Sequence, residues 1–235
     1  MSYLSWIEDD ALTKCVIDLI TTAQSVKQKA STTLNKNVMD PFSAIFQMAG
    51  FEMDYSTWMQ SEEARQAQKS LQNHVGNFHQ NIIGSIDGWQ DLGVGKITDV
   101  VNSEKQILAE IKNKHNTVKK SDLSKLYHAL HAEVMNKSSK YKDYTAYYVT
   151  ILPSKPVRFN EPFVPSDNLV GAKVALNEKI RIIDGASFYH LVTGEHNAIF
   201  DLFQAIPKVV EDSMKTTLLA DDLKNLTVLF KTAFS

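Results

Sequence analysis

Between residues 58 and 152 the chain runs through helix-period and strand-period segments in one order: helix, short strand, hairpin, helix, strand. The longest helical signal extends from about Ser56 to Ile83. Within it Leu71, Val75, Phe78 and Ile82 recur at i, i+4, i+7 and i+11, one apolar stripe. "GSIDGWQDLGVGK" then brings four glycines into a short span, which ends the helix and supplies turns or a short strand. "ITDVV" and "ILAEI" are β-branched runs on either side of the polar "NSEKQ", and they predict an antiparallel hairpin turning near Ser103 to Lys105. "SDLSKLYHALHAEVM" restores helical spacing, and "YTAYYVTIL" is the strongest strand in the chain. The expectation is a mixed α/β fold.

The flanks are read by their punctuation. Ser5 and Glu8 form an S-x-x-E capping box ahead of Leu12, Val16, Leu19 and Ile20, which predicts a first helix. "DPFSAIFQMAGF" opens with Asp40 before Pro41 and ends near Gly50, a short helix. Residues 153–165 hold four of the six prolines and predict an arm outside regular structure. "KIRIIDGASFYHLVTGE" predicts a strand, a turn at Asp184 and Gly185, and a helix stopped by Gly194; the remainder is helical. The expected organisation is a single domain over 1–235, with a helical part at 1–55, a core at 56–152, the proline-rich arm at 153–167 and a C-terminal strand with helices at 168–235.

At 235 residues with 43% apolar content the chain can bury a substantial core. A lone cysteine, Cys15, makes neither an internal disulfide nor a zinc site by itself and suits a reducing compartment. The N-terminus carries acids where a leader peptide needs a basic segment, and no stretch approaches the roughly 20 apolar residues of a membrane span. The expectation is a soluble, cytoplasmic protein of prokaryotic type that needs no membrane.

"DVVNSEKQILAEIK", residues 99–112, carries the candidate chemistry. In an extended strand Glu110 and Lys112 project to one side with Leu108, while Ile107, Ala109 and Ile111 face the other. If the hairpin turns as predicted, Asp99 lies across from them, and cross-strand neighbours about 5 Å apart can share one cation. Facing carboxylates repel, and a hard dication such as magnesium relieves this through oxygen ligation. Lys112 beside them can position a water and offset developing negative charge. The bland reading is a solvated hairpin: an acid, a spacer and a lysine recur by chance, as at Asp222, Leu223 and Lys224, which sit in a helix pattern with no strand-borne acid. Local charge favours the chemical reading. The net charge is -2, yet from Lys105 to Lys142 nine lysines face three acids, a surplus of six. Such a surface suits phosphates, with Lys114, Lys119, Lys120 and Lys125 as candidates, although a lysine-rich solvated face is the ordinary alternative.

Thr98 and Asp99, ten intervening residues, then Glu110, Ile111 and Lys112, within this order of elements, resemble the PD-(D/E)xK nuclease superfamily. Thr98 stands where the superfamily's name has proline. "LQNHVGNFHQNIIGSIDGW", "LGVGKITDVVN", "AEIKNKHNTVK" and "IIDGASFYHLVTG" are similar to type II restriction endonucleases that cut GGNCC and GGWCC, over about residues 41–206. The resemblance implies a restriction-endonuclease-like core, a central mixed sheet flanked by helices with helical additions at both ends. It implies a Mg2+-dependent enzyme, with no small-molecule cofactor, that cleaves both strands of a short palindromic site in double-stranded DNA. Asp99, Glu110 and the main-chain carbonyl of Ile111 would ligate the metal, and Lys112 would be the catalytic lysine. Glu63, His79 and Gln80 on the long helix are candidates for a further polar group at the site; a helix-start charge and a core histidine are the plain alternatives for Glu63 and His79.

A palindrome favours a two-fold homodimer. Guanine-rich half-sites call for Arg, Lys, Asn or Gln in the major groove. Asn113, Lys114, His115, Asn116 and Thr117 follow the catalytic strand, while Lys155, Arg158 and Asn160 lie in the arm; ordinary surface placement is the alternative for each. A repair or junction-resolving nuclease with the same core, or a non-catalytic DNA-binding protein, remains open beside the restriction enzyme.

Overall fold

The apolar, uncharged run at 145–152 becomes the middle of a sheet because it has no charged side chain to keep in water on either face. The computed structural model describes residues 2–34, 38–93, 95–167 and 170–234. Among them the strands are β1 (Gln90–Asp91), β2 (Val100–Asn102), β3 (Ile107–Lys114), β4 (Thr145–Leu152), β5 (Asn160–Pro162), β6 (Ser166–Asp167), β7 (Ala172–Lys173) and β8 (Ile180–Asp184). Six of these form one sheet in the order β1-β2-β3-β4-β8-β5; β6 and β7 pair separately. β3, β4 and β8 run parallel, and the β1–β2, β2–β3 and β5–β8 pairs are antiparallel, so the sheet is mixed.

The helices are α1 (Asp9–Leu34), α2 (Pro41–Gly50), α3 (Tyr55–Gly84), α4 (Leu123–Met135), α5 (Gly185–Thr193), α6 (Ala198–Met214) and α7 (Ala220–Ala233). The chain divides into two compact units, residues 1–16 with 78–235, and residues 17–77. The first holds the sheet. On one face Val101, Leu108, Ala146, Tyr148 and Ile180 pack with Tyr127, Leu130 and Val134 of α4 and with Phe163. On the other, the rings of Trp89 and Tyr147 meet Phe188 of α5. In the second unit α2 begins with Asp40 accepting the N–H groups of Phe42 and Ser43, and buried Trp58 donates its indole N–H to Gln47 at 3.2 Å.

The expected hairpin is present, with Val100 opposite Ala109, Val101 opposite Leu108 and Asn102 opposite Ile107. Two expectations need correction. Ser5 and Glu8 do not cap the first helix: α1 begins at Asp9, whose carboxylate takes the N–H of Tyr3 at 2.9 Å, so the reciprocal bonds of a capping box are replaced by one to the preceding segment. The proline-rich arm is not wholly outside regular structure, because Asn160–Pro162 forms β5 against β8. Proline is tolerated there because an edge strand needs ladder partners on one side only. Among the described residues no helix is long and apolar enough to cross a membrane.

Candidate active site

Asp99 immediately precedes β2 at the base of the hairpin, and its carboxyl meets that of Glu110. Its own N–H donates to the carbonyl of Ala109 at 2.8 Å, and its carbonyl accepts the N–H of Leu92 at 2.8 Å. Its side chain then does what the next ladder rung would have done: Oδ2 accepts the main-chain N–H of Ile111 at 2.6 Å. A residue in an extended strand points its N–H and C=O to the same side, so the Ile111 carbonyl is aimed toward Asp99 as well. β2 is short and β3 long, and β3 therefore runs on past its partner, leaving main-chain groups beside the acid.

Glu110 and Lys112 share a strand face, and Lys112 forms an ion pair with the Glu110 carboxylate. Leu108 on the same face is fully buried, and the Glu110 side chain is only 13% exposed. Its register neighbour on β4 is Tyr148, whose Oη is buried without a hydrogen-bond partner among the described residues. Burial and then the charge of Asp99 push the Glu110 carboxyl up to about 7, against the pull of Lys112. Burial also raises Asp99, opposed by the Ile111 N–H and by Lys112, with Asp91 adding to the rise. Burial and the Glu110 charge push the Tyr148 hydroxyl up to about 12.

These features fit a divalent cation. Two neighbouring carboxyls that resist ionisation, a main-chain carbonyl on the Asp99 side of β3 and an unpartnered buried hydroxyl form a set of hard oxygen atoms short of positive charge. Among the described residues no three acids, histidines or cysteines gather in reach of one ion, so protein ligation would rest on two carboxylates and the carbonyl.

Parallel pairing decides what surrounds the cluster. Lys114 lies opposite Leu152, and the N–H of His115 reaches the carbonyl of Leu152 at 3.0 Å, so the segments after β3 and β4 leave the sheet at the same end, beside Lys112. The 113–117 segment and the start of the arm at Lys155, two separate stretches in the sequence, are brought together there. Thr117 folds back, its Oγ1 accepting the N–H of Lys114. His115, Asn116, Thr117, Lys119, Lys120 and Lys155 are exposed and Asn113 half-buried. Arg158 is held by the carbonyl of His196 at 2.7 Å, and Asn160 Oδ1 accepts from Arg181 at 2.7 Å. Lys125 pairs with Asp122 at 2.9 Å.

Gln80 donates to Asp91 at 2.8 Å, and the same carboxylate takes the N–H of Gly93 at 2.7 Å. Asp91, which sequence reading missed, thus anchors the loop beside Asp99; nothing in "GWQDLG" distinguishes it from an ordinary turn acid. Half-buried His79 sets Nδ1 2.8 Å from the Tyr189 hydroxyl, and desolvation lowers its pKa to about 4. Glu63 lies in the second unit, where its neighbour Glu62 holds Arg65 at 2.5 and 2.6 Å. The chance triplet behaves as one: Asp222 is on α7, and Lys224 pairs with Asp221.

A central mixed sheet flanked by helices is the architecture of a restriction-endonuclease fold. Comparisons with known proteins agree. A family model described as Eco47II restriction endonuclease matches residues 4–215. The type II restriction enzyme Eco47II of Escherichia coli is 48% identical over 211 residues, covering 90% of this chain and 88% of that protein. The type II restriction enzyme Sau96I of Staphylococcus aureus is 31% identical over 219 residues, covering 91% and 82%. The chain belongs to the Eco47II restriction endonuclease family. It is an endonuclease that cleaves double-stranded DNA at a specific site in restriction-modification. Enzymes of this kind generally depend on a divalent metal.

Proposed function

We propose that this endonuclease cuts a short palindromic GGNCC-like sequence with Mg2+, that Asp99, Glu110 and the carbonyl of Ile111 hold the cation, and that two copies act together, one on each strand. The meeting of Asp99 and Glu110 across the hairpin, with the N–H of Ile111 fixing Asp99, carries the reading. Both relatives are type II restriction enzymes, which supports a sequence-specific site.

Bound there, the cation would polarise the scissile phosphate and lower the pKa of the attacking water. The protein groups prepare this. The Ile111 N–H holds the Asp99 carboxylate in one orientation, and Asp91 with Gln80 and Gly93 holds the loop beside it. Lys112, now paired with Glu110, places its ammonium beside the site, where it can turn to a phosphate oxygen and offset the charge that builds in the transition state. Asn113 to Thr117 and Lys155 offer the DNA a polar and basic surface at the same end of the sheet, with Lys119 and Lys120 as further phosphate contacts. Arg158 and Lys125 would exchange their present partners to join them.

The test is incubation with unmethylated plasmid DNA, with Mg2+ and with a chelator. Discrete fragments ending at one GGNCC-like sequence, lost on chelation, are expected. Cutting confined to branched DNA would point to a junction-resolving nuclease, and binding without cutting to a non-catalytic protein; either overturns the reading.

A further inference from the structure

A tyrosine hydroxyl sealed in a core without a partner costs stability that a phenylalanine would not. Tyr148 is 1% exposed, and among the described residues its Oη is the one enclosed hydroxyl that lacks a hydrogen-bond partner. Tyr127 and Tyr189, also buried, have theirs: Tyr127 donates to the carbonyl of Ala175 at 2.5 Å, and Tyr189 meets His79. The ring of Tyr148 is fixed by the core, 5.1 Å from that of Phe163 and packed with Leu108 and Tyr127. Only its hydroxyl is uncommitted.

Register brings that hydroxyl to Glu110. Tyr148 stands beside Glu110 on the parallel strand β4, one strand spacing of about 4.8 Å away, and the two side chains project from the same face. The charge that acts on the hydroxyl is that of Glu110. Two residues on, Thr150 stands beside Lys112. On this face β4 carries Ala146, Tyr148, Thr150 and Leu152, so its two hydroxyls fall against the two charged side chains of the site.

Glu110 has a use for a second donor. Its side chain is 13% exposed and its carboxylate is paired with Lys112. The Lys112 ammonium is repelled by any cation that Glu110 holds and is drawn to phosphate, so the ion pair opens when the site is loaded. A carboxylate shut away from water then loses its partner, which is costly unless another donor replaces it. A neutral phenol is a poor ligand for a hard dication beside two carboxylates, but it is a ready donor to one of them. We propose that the Tyr148 hydroxyl takes over the Glu110 carboxylate when Lys112 leaves it, a positioning role that rests on the metal-binding reading of Glu110 above. Tyr148 acts through Glu110 and is not itself a ligand.

Tyr148→Phe in the full chain keeps the ring and removes the donor. The experiment is calorimetric titration with Mg2+ alone, beside urea unfolding of the metal-free protein. The dissociation constant for Mg2+ should rise about tenfold or more, the worth of a hydrogen bond to a charged group, and the Mg2+ concentration for half-maximal cutting should rise by the same factor. The urea midpoint of the metal-free variant should equal or exceed that of the wild type, because the hydroxyl has no partner to lose. Tyr127→Phe removes a paired hydroxyl from the same core and should do the reverse, lowering the midpoint while Mg2+ affinity stays. Unchanged Mg2+ affinity in Tyr148→Phe, with Glu110→Gln unable to bind, overturns the role of Tyr148 and leaves the metal reading standing. A midpoint below wild type in Tyr148→Phe gives the hydroxyl a structural partner and also overturns it. Equal Mg2+ binding by the wild type and Glu110→Gln overturns the metal reading and this inference with it.

Discussion

The carboxylate of Asp99 accepts the main-chain N–H of Ile111 at 2.6 Å, which ties the acid before β2 to the residue between Glu110 and Lys112. One bond thereby sets the distance and orientation of the two acids. Asp99→Asn keeps the size and removes the charge. Cleavage should fall about a thousand-fold or more, since metal-assisted charge stabilisation supplies several kcal/mol, while gel-shift affinity for DNA stays within a few-fold. Asp222→Ala on α7 should cut at the wild-type rate. Normal cutting by the Asp99 variant would remove the site assignment.

Lys112 can be separated from metal binding. Lys112→Ala should abolish cleavage but keep the Mg2+-induced rise in melting temperature, because the oxygen ligands remain. Glu110→Gln should lose both. Thermal shift with and without Mg2+ distinguishes the two variants, and a Lys112 variant that lost the shift would make the lysine part of the metal site.

Metal binding should depend on pH. In metal-free protein the Glu110 carboxyl stands at about 7. Above that pH it is ionised and offers its oxygens directly; below it a proton must leave first. Mg2+ affinity by calorimetry should therefore fall up to about tenfold per pH unit below 7, with proton release on binding. A wild-type affinity unchanged between about pH 5 and 7, with no proton released on binding, would overturn this assignment.

His79 provides a separate pH dependence, in stability. Its folded pKa of about 4 lies below the ordinary value of 6.5, so the unfolded chain binds the proton more readily between those values. The stabilisation is complete above 6.5 and is lost as pH falls toward 4. The wild-type urea midpoint should drop across that window, and the drop should be smaller in His79→Gln.

At Gly185 a Cβ would lie 2.5 Å from the carbonyl oxygen of Ile151 and 2.8 Å from its Cα. Both are main-chain atoms of the central strand and cannot swing aside. Gly185→Ala should destabilise by about 1–3 kcal/mol, measured by urea unfolding, with the site residues themselves untouched.

Much of the architecture was legible locally. The stripe from Leu71 to Ile82 marked α3, Asp40 with Pro41 marked the start of α2, and the polar residues between "ITDVV" and "ILAEI" marked the hairpin. The hairpin brought Asp99 to the region of Glu110, and strand alternation placed Lys112 beside Glu110. What failed was local in form but non-local in cause. Ser5 and Glu8 had the spacing of a cap, yet Asp9 bonded to Tyr3 instead. Pro162 read as a chain outside regular structure until β8 supplied an edge for it. The partners of Gln80 and His79, Asp91 and Tyr189, lie 11 and 110 residues away, beyond the reach of any local pattern.

The sequence by itself determined the elements and the pairing of the acids, because side-chain period and turn chemistry act over a few residues. Only the tertiary structure decided that β3, β4 and β8 run parallel, which gathers the 113–117 segment and Lys155 at one end of the sheet. It alone decided that both faces of β3 are covered, so that Glu110 is desolvated and its carboxyl stands near 7.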